Sequence, residues 1–244
     1  MNEPVNRTIL LFDIEQFGKR DDVEQAFLRR LLYDVADQTL VAAGVSETAR
    51  LRADRGDSVM ELIDARVPVS AVLKTLLAET PALLHNKNRL ISNSAQMRLR
   101  IVLSTGYVAV DDLNGWVGSD LNHACRLLDA APLREALRGR KDHSVLCVSD
   151  GVYQGVVRHG PLGVRPEEFH RITVEAKEGP TVAWLHGETG AAPASPPPSE
   201  EAAVNGSSQE ARYGTTNVGR DQYGVSGGHV QGDIHYRFSP GDDR

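Results

Sequence analysis

The order of the hydrophobic periodicities constrains the fold of this chain more than any other feature. A solid apolar run at 7–14 is followed by a long helical pattern at 21–43. Two strand-like segments at 49–54 and 58–63 then flank the turn Arg55-Gly56-Asp57, and a second helical pattern at 69–85 leads to a long strand at 97–110. In the first helical stretch Val23, Phe27, Leu31, Val35 and Leu40 recur at helical spacing. Asp21 and Asp22 favour its N-terminus, and Gly44 ends it. A third helix is predicted over 121–138, with apolar residues at 121, 124, 127, 128 and 133, and further strand signals lie at 144–148 and 172–185. The order strand–helix–strand–strand–helix–strand is a split βαβ, so the predicted fold class is α+β, ferredoxin-like. In such a sheet the first strand lies beside the central hairpin. Asp13, which ends that strand, and Asp57, in the hairpin turn, are therefore expected side by side at one sheet edge.

The periodic pattern stops near Gly187, which sets a domain at 1–187. A Pro/Ala/Ser-rich linker that cannot build a core is expected over 188–212. Residues 213–238 carry short apolar/polar alternations between glycines, with Val218, Tyr223, Val225, Val230, Ile234, Tyr236 and Phe238 as the apolar steps. One reading is a disordered, solvated tail. The other is a β-forming assembly motif, able to stack with copies of itself or with a matching segment on an effector protein.

The formal net charge of −6 argues against sequence-independent binding to nucleic acid or to an anionic membrane, both of which need a basic face. A nucleotide remains compatible, because bound cations can neutralise its phosphates locally. Cys125 and Cys147 have no CxxC spacing and read as free thiols. The first apolar run is far too short to span a bilayer and no signal peptide is recognised ahead of it, so the expected compartment is the cytosol.

Three motifs carry chemistry. In Phe12-Asp13-Ile14-Glu15-Gln16-Phe17-Gly18, an Asp ending a buried strand either caps the next turn or holds a divalent metal, while the turn offers N–H groups to phosphates. In Asp54-Arg55-Gly56-Asp57-Ser58, Gly-Asp is an ordinary turn pair or a second metal carboxylate. The third runs from Arg100 through Gly106 to Gly118-Ser-Asp-Leu-Asn122-His-Ala-Cys-Arg126. Asn122 and Arg126 are four residues apart and share one helix face, as a solvated pair or as donors to a ribose and a phosphate. His123, His143 and His170 show no metal-ligand spacing and read as surface or packing residues.

Taken together and in this order, these elements resemble the class III adenylyl/guanylyl cyclase catalytic domain over residues 5–186. The resemblance implies two divalent metal ions, Mn²⁺ or Mg²⁺, held by Asp13, Asp57 and the Ile14 carbonyl. It implies that Asn122 orients the ribose and Arg126 neutralises the transferring phosphate, and that a nucleoside triphosphate is the substrate. It also implies a homodimer in which one chain supplies the metal carboxylates and its partner the Asn/Arg pair. Phe17, Gly18, Arg55, Asn114 and Lys177 are the further substrate-binding candidates.

The chain departs from that family at the positions that read the base. A Lys or Glu three residues before the turn Gly is Ala53 here, and an Asp or Cys seven before the catalytic Asn is Gly115. Neither can hydrogen-bond a base through a side chain. Asn114 or Asp54 would serve if the alignment slips by one, with Arg52 and Arg55 as nearby donors. The phosphate-binding Lys expected near the last hairpin is replaced by Glu175, with Lys177 two residues on. These departures resemble the stand-alone bacterial cyclases of anti-phage defence that make cyclic UMP or cyclic CMP. Uridylate is favoured. The alternative is a catalytically silent cyclase-like module that binds nucleotide or scaffolds through its tail.

Overall fold

Strand β1 (Val5–Ile14) is buried from Thr8 onward and lies inside the sheet, with a strand on each side. Helix α1 (Asp22–Ala42) starts where the Asp21 carboxylate accepts from the Glu24 N–H, a standard N-cap. It returns the chain to the hairpin β2 (Arg50–Asp54) and β3 (Ser58–Asp64). Then follow α2 (Val69–Leu77), α3 (Glu79–Asn88), β4 (Leu99–Val110), the short β5 (Trp116–Val117), α4 (Ser119–Asp129), α5 (Ala131–Arg138), β6 (Ser144–Ser149), α6 (Asp150–Gly155), β7 (Phe169–Val174) and β8 (Thr181–His186). This computed structural model describes residues 3–113, 115–175 and 179–187. Asn114, Lys177, the linker at 188–212 and the segment at 213–238 lie outside the described residues.

The sheet runs β2-β3-β1-β4-β6-β8-β7, with β5 pairing onto β4. β1 is antiparallel to both β3 and β4, so each of the two crossovers skips one strand, which is the split βαβ pattern. Period-2 alternation divides β1 between two cores. Leu10, Phe12 and Ile14 face α1, α2 and α3, whereas Ile9 and Leu11 face α4 and α5. Asp13 falls on the second face. It sits directly opposite Ser58 of β3 and Arg100 of β4.

Two predicted helices are each broken into two. The pattern at 69–85 bends at Ala78 into α2 and α3, and that at 121–138 breaks at Ala130, which is extended (φ −64°, ψ 139°). In both cases a proline lies just beyond the break, Pro81 and Pro132. Such a residue cannot donate to the carbonyl four residues back and crowds it. After the second break the Leu128 carbonyl accepts instead from Arg100 Nη1, at 3.5 Å. β5 and α6 were not foreseen. α6 is one short turn-and-a-half, capped by the Ser149 hydroxyl accepting from the Val152 N–H.

Candidate active site at the β1 edge

The β1–β3 ladder brings the two predicted metal carboxylates together. Asp13 is the last ladder partner of Ser58, and one residue further the Ile14 N–H donates to the Asp57 carbonyl at 3.0 Å. Asp13, Ile14 and Asp57 therefore occupy one corner of the sheet, as expected from sequence. The turn holding Asp57 is pinned from α1. Arg29 donates to the Gly56 carbonyl at 2.7 Å and to the Asp54 carboxylate at 3.0 and 2.5 Å. Gly56 is at φ +87°, a conformation that a side chain would strain.

Asp13 is buried, and its carboxylate accepts from Arg100 Nε at 2.8 Å and from Arg100 Nη2. Burial pushes its carboxyl up to about 6; Arg100 pulls against this, and the charges of Asp57 and Asp129 add to the rise. A carboxylate so placed carries an unrelieved electrostatic cost, which a further cation at the same corner would lower. Among the described residues no group of three or more His, Cys, Asp or Glu side chains is arranged to hold a metal ion. The corner offers two carboxylates and the adjoining main chain.

The remaining predicted residues divide into three sets. Phe17 is half-buried against the α1 core, and Gly18 is exposed, with open space where a side chain would project. Between Ile14 and these two, Gln16 takes a left-handed conformation (φ 57°), turning the chain sharply off the end of β1. Asn122 and Arg126 are exposed on α4, while Leu121, Ala124, Leu127 and Leu128 of the same helix are buried on the sheet. Arg126 lines a cleft of about 610 Å³ together with Cys125, Asp129, Thr173 and Glu175. Arg100, Glu15 and Gln16 line a different cleft of about 430 Å³, next to Asp13. Arg126 and Arg100 thus line different clefts, and Asp129 of the first is near enough for its charge to act on Asp13.

The seat of α4 is set by two glycines. A Cβ at Gly106 would overlap the Asp120 side chain, whose carboxylate accepts from the Tyr107 N–H at 2.7 Å. A Cβ at Gly118 would sit 2.5 Å from the Tyr107 carbonyl oxygen.

Around the turn, Arg55 is exposed and close enough to α4 for its charge to act on the Cys125 thiol. Asp54 and Arg52 face the other way. Arg29 and the Gly56 N–H hold the Asp54 carboxyl well below the usual carboxylate range. Arg52 is bound by Glu61 at 2.5 Å and Asp37 at 2.7 Å. Ala53 packs against the α4 core, and Gly115 is fixed by its N–H donating to Asp111 Oδ1 at 2.6 Å. Sequence reasoning missed three groups in the cleft lined by Arg100, namely Lys19, Arg134 and Arg138. For Arg134 and Arg138 the signal was a pair four apart after Pro132, hidden by extending one helix through the proline.

No family profile and no curated protein matches the chain in sequence. Solved structures do. The guanylyl cyclase Cya2 superposes with a TM-score of 0.54 at 17% identity, covering 78% of this chain and 96% of that one. An adenylate/guanylate cyclase/hydrolase from Silicibacter pomeroyi gives 0.56 at 18%, covering 76% and 98%. The catalytic core of a rhodopsin-guanylyl cyclase with converted specificity, in complex with ATPαS, gives 0.51 at 18%, covering 75% and 96%. The chain has the fold of the class III adenylyl/guanylyl cyclase catalytic domain.

Proposed function

We propose that this protein is a nucleotide cyclase, converting a nucleoside triphosphate to a 3′,5′-cyclic nucleotide and pyrophosphate as a homodimer. The observation that carries the reading is the placement of Asp57 next to the end of β1, close enough for its charge to act on Asp13, in a fold shared with cyclases. In the reaction the 3′-oxygen bonds to the α-phosphorus as the bond from that phosphorus to the bridging β-oxygen breaks, and pyrophosphate carries the electrons away.

The donor set of Asp13, Asp57 and the Ile14 carbonyl is all oxygen, which fits hard divalent cations such as Mg²⁺ or Mn²⁺ rather than softer metals. When bound, two such ions activate the attacking oxygen and stabilise the leaving group. The protein's own residues position the substrate and spread its charge. Asn122 orients the ribose and Arg126 meets the charge developing on the α-phosphate, both reaching across from the partner chain. Tyr107 and Val117, exposed on β4 and β5, support this division by offering a face to the partner. Arg55 is the side chain near the turn with freedom to contact substrate, since Asp54 and Arg52 are engaged toward α1.

We further infer a pyrimidine substrate, UTP ahead of CTP, with cyclic UMP as a second messenger of bacterial anti-phage defence. Ala53 and Gly115 supply no side-chain donor or acceptor to a purine edge, and a site that leaves such an edge unpaired discriminates against it. An effector engaged through residues 213–238 would complete the signal. The test is to incubate the purified protein with Mn²⁺ and each of ATP, GTP, CTP and UTP, and to identify products by mass spectrometry. A cyclic product, lost in Asp57→Ala, supports the reading. No product from any of the four would overturn it in favour of a silent nucleotide-binding module.

A further inference from the structure

Helix α5 is where this chain places charge that the cyclase reading alone does not use. It is amphipathic: Leu133, Ala136 and Leu137 are buried against the sheet, while Arg134 and Arg138 are exposed one turn apart on the opposite face. Arg134 and Arg138, four residues apart, share the exposed face of α5. The break at Ala130 sets α5 apart from α4. Arg126 faces the cleft with Glu175, and Arg134 and Arg138 face the cleft beside Asp13.

That second cleft is lined by Lys19, Arg100, Arg134 and Arg138 against a single carboxylate, Glu15, with Gln16 as the sixth residue. Glu15 is already met by Arg98 at 3.3 Å, and Arg98 also donates to the Leu137 and Arg140 carbonyls, tying the end of α5 to β4. Arg100 is held on Asp13. Arg134 meets Asp129 at 3.1 Å, but both side chains are largely exposed, so the pair is readily exchanged for a stronger anion. The net result is a cationic cleft of about 430 Å³ opening beside the carboxylate corner.

We propose that Lys19, Arg134 and Arg138 form a polyphosphate clamp. It holds the β- and γ-phosphates of the nucleoside triphosphate, and the pyrophosphate left after ring closure, on the same chain that carries Asp13 and Asp57. The proposal rests on the nucleotide reading above for its ligand. Guanidinium groups one helical turn apart suit bidentate contacts to neighbouring phosphates, and the Lys19 ammonium adds a third charge from the β1–α1 turn. The clamp also accounts for Glu175. A carboxylate beside Arg126 would repel a polyphosphate in the first cleft, whereas the second offers it cations.

The experiment uses the full chain and inorganic tripolyphosphate as probe, titrated by calorimetry at low salt with EDTA. Inhibition of cyclisation by pyrophosphate is measured in parallel. Arg134→Ala/Arg138→Ala should weaken tripolyphosphate binding about tenfold or more, and Arg134→Lys/Arg138→Lys should restore part of it. Lys19→Ala, on a different element, should weaken binding about threefold even if the α5 variants fold poorly. Glu135→Ala, on the same helix, should bind as the wild type does. If the wild type does not bind tripolyphosphate, or the Lys19 and arginine variants bind within twofold of it, the clamp is overturned. Wild-type cyclisation would in that case leave the cyclase reading standing. Tripolyphosphate binding that depends on these three residues, in a protein that cyclises no nucleotide, would uphold the clamp and overturn the cyclase reading.

Discussion

Gly118→Ala is expected to unseat the helix that carries Asn122. The added Cβ would lie 2.5 Å from the Tyr107 carbonyl oxygen and 3.4 Å from the Val108 Cα, both main-chain atoms of β4 that cannot rotate away. Relieving the carbonyl contact to an ordinary separation requires the start of α4 to move by roughly 0.7 Å, an overpacking change that typically costs about 1–3 kcal/mol. The same movement stretches the Tyr107 N–H bond to the Asp120 carboxylate, now 2.7 Å. Losing that charge-assisted bond adds about 1.5–3 kcal/mol, for a total of roughly 2.5–6 kcal/mol. Gly155→Ala is the control: nothing lies within 4 Å of its Cβ, and stability should change by no more than about 0.5 kcal/mol. Urea denaturation of the three proteins reads the difference. Because Asn122 moves with the helix, cyclase kcat should fall about 10- to 100-fold in Gly118→Ala even at temperatures where it is folded. A Gly118→Ala protein as stable as the Gly155→Ala control, with unchanged kcat, would refute the argument that close approach of α4 to β4 sets the site.

Other consequences follow from the same geometry. The folded Asp13 carboxyl sits at about 6 against an ordinary 3.8, so the folded state holds the extra proton between these values. Stability should therefore be favoured below about pH 4 and lost as pH rises to about 6, by up to about 3 kcal/mol at this site. In EDTA, the stability difference between wild type and Asp13→Asn should shift in that direction between pH 4 and 7, and a flat difference would contradict it. Arg29→Ala removes the support of the Asp57 turn and should cost about 1 kcal/mol by denaturation, together with a severalfold higher Mn²⁺ requirement for activity. Cys147 is fully buried, which pushes its thiol up to about 12, so a thiol reagent should titrate the half-exposed Cys125 in the native protein and reach Cys147 only on unfolding.

How much of this was legible in the sequence depends on what each feature needs. That Asp13 and Asp57 share one sheet edge was readable because a split βαβ order leaves one neighbour for the first strand on the hairpin side. The Asp13–Arg100 clamp was not readable. It depends on the register between β1 and β4, which are far apart in the chain and joined by no short turn. The helix breaks at Ala78 and Ala130 were within reach, since Pro81 and Pro132 stand in the sequence, but apolar periodicity continues across both prolines and carried the helices through them. The second break mattered most, because it separates Arg134 and Arg138 from Arg126 and sends them to another cleft. Arg52 and Asp54 looked like base contacts by proximity to the turn. Period-2 alternation in β2 places them on the α1 face, opposite Ala53.

Mixing two variants, each inactive alone, tests the shared dimeric site most directly. On the proposed assignment Asp57→Ala loses a metal carboxylate and Arg126→Ala loses the contact to the transferring phosphate, so their heterodimer would retain one intact site. An equal mixture with free exchange of subunits should recover about a quarter of the wild-type rate of cyclic nucleotide formation. A mixture as silent as its components, from chains shown to exchange, would contradict a site built from the carboxylates of one chain and the arginine of its twin.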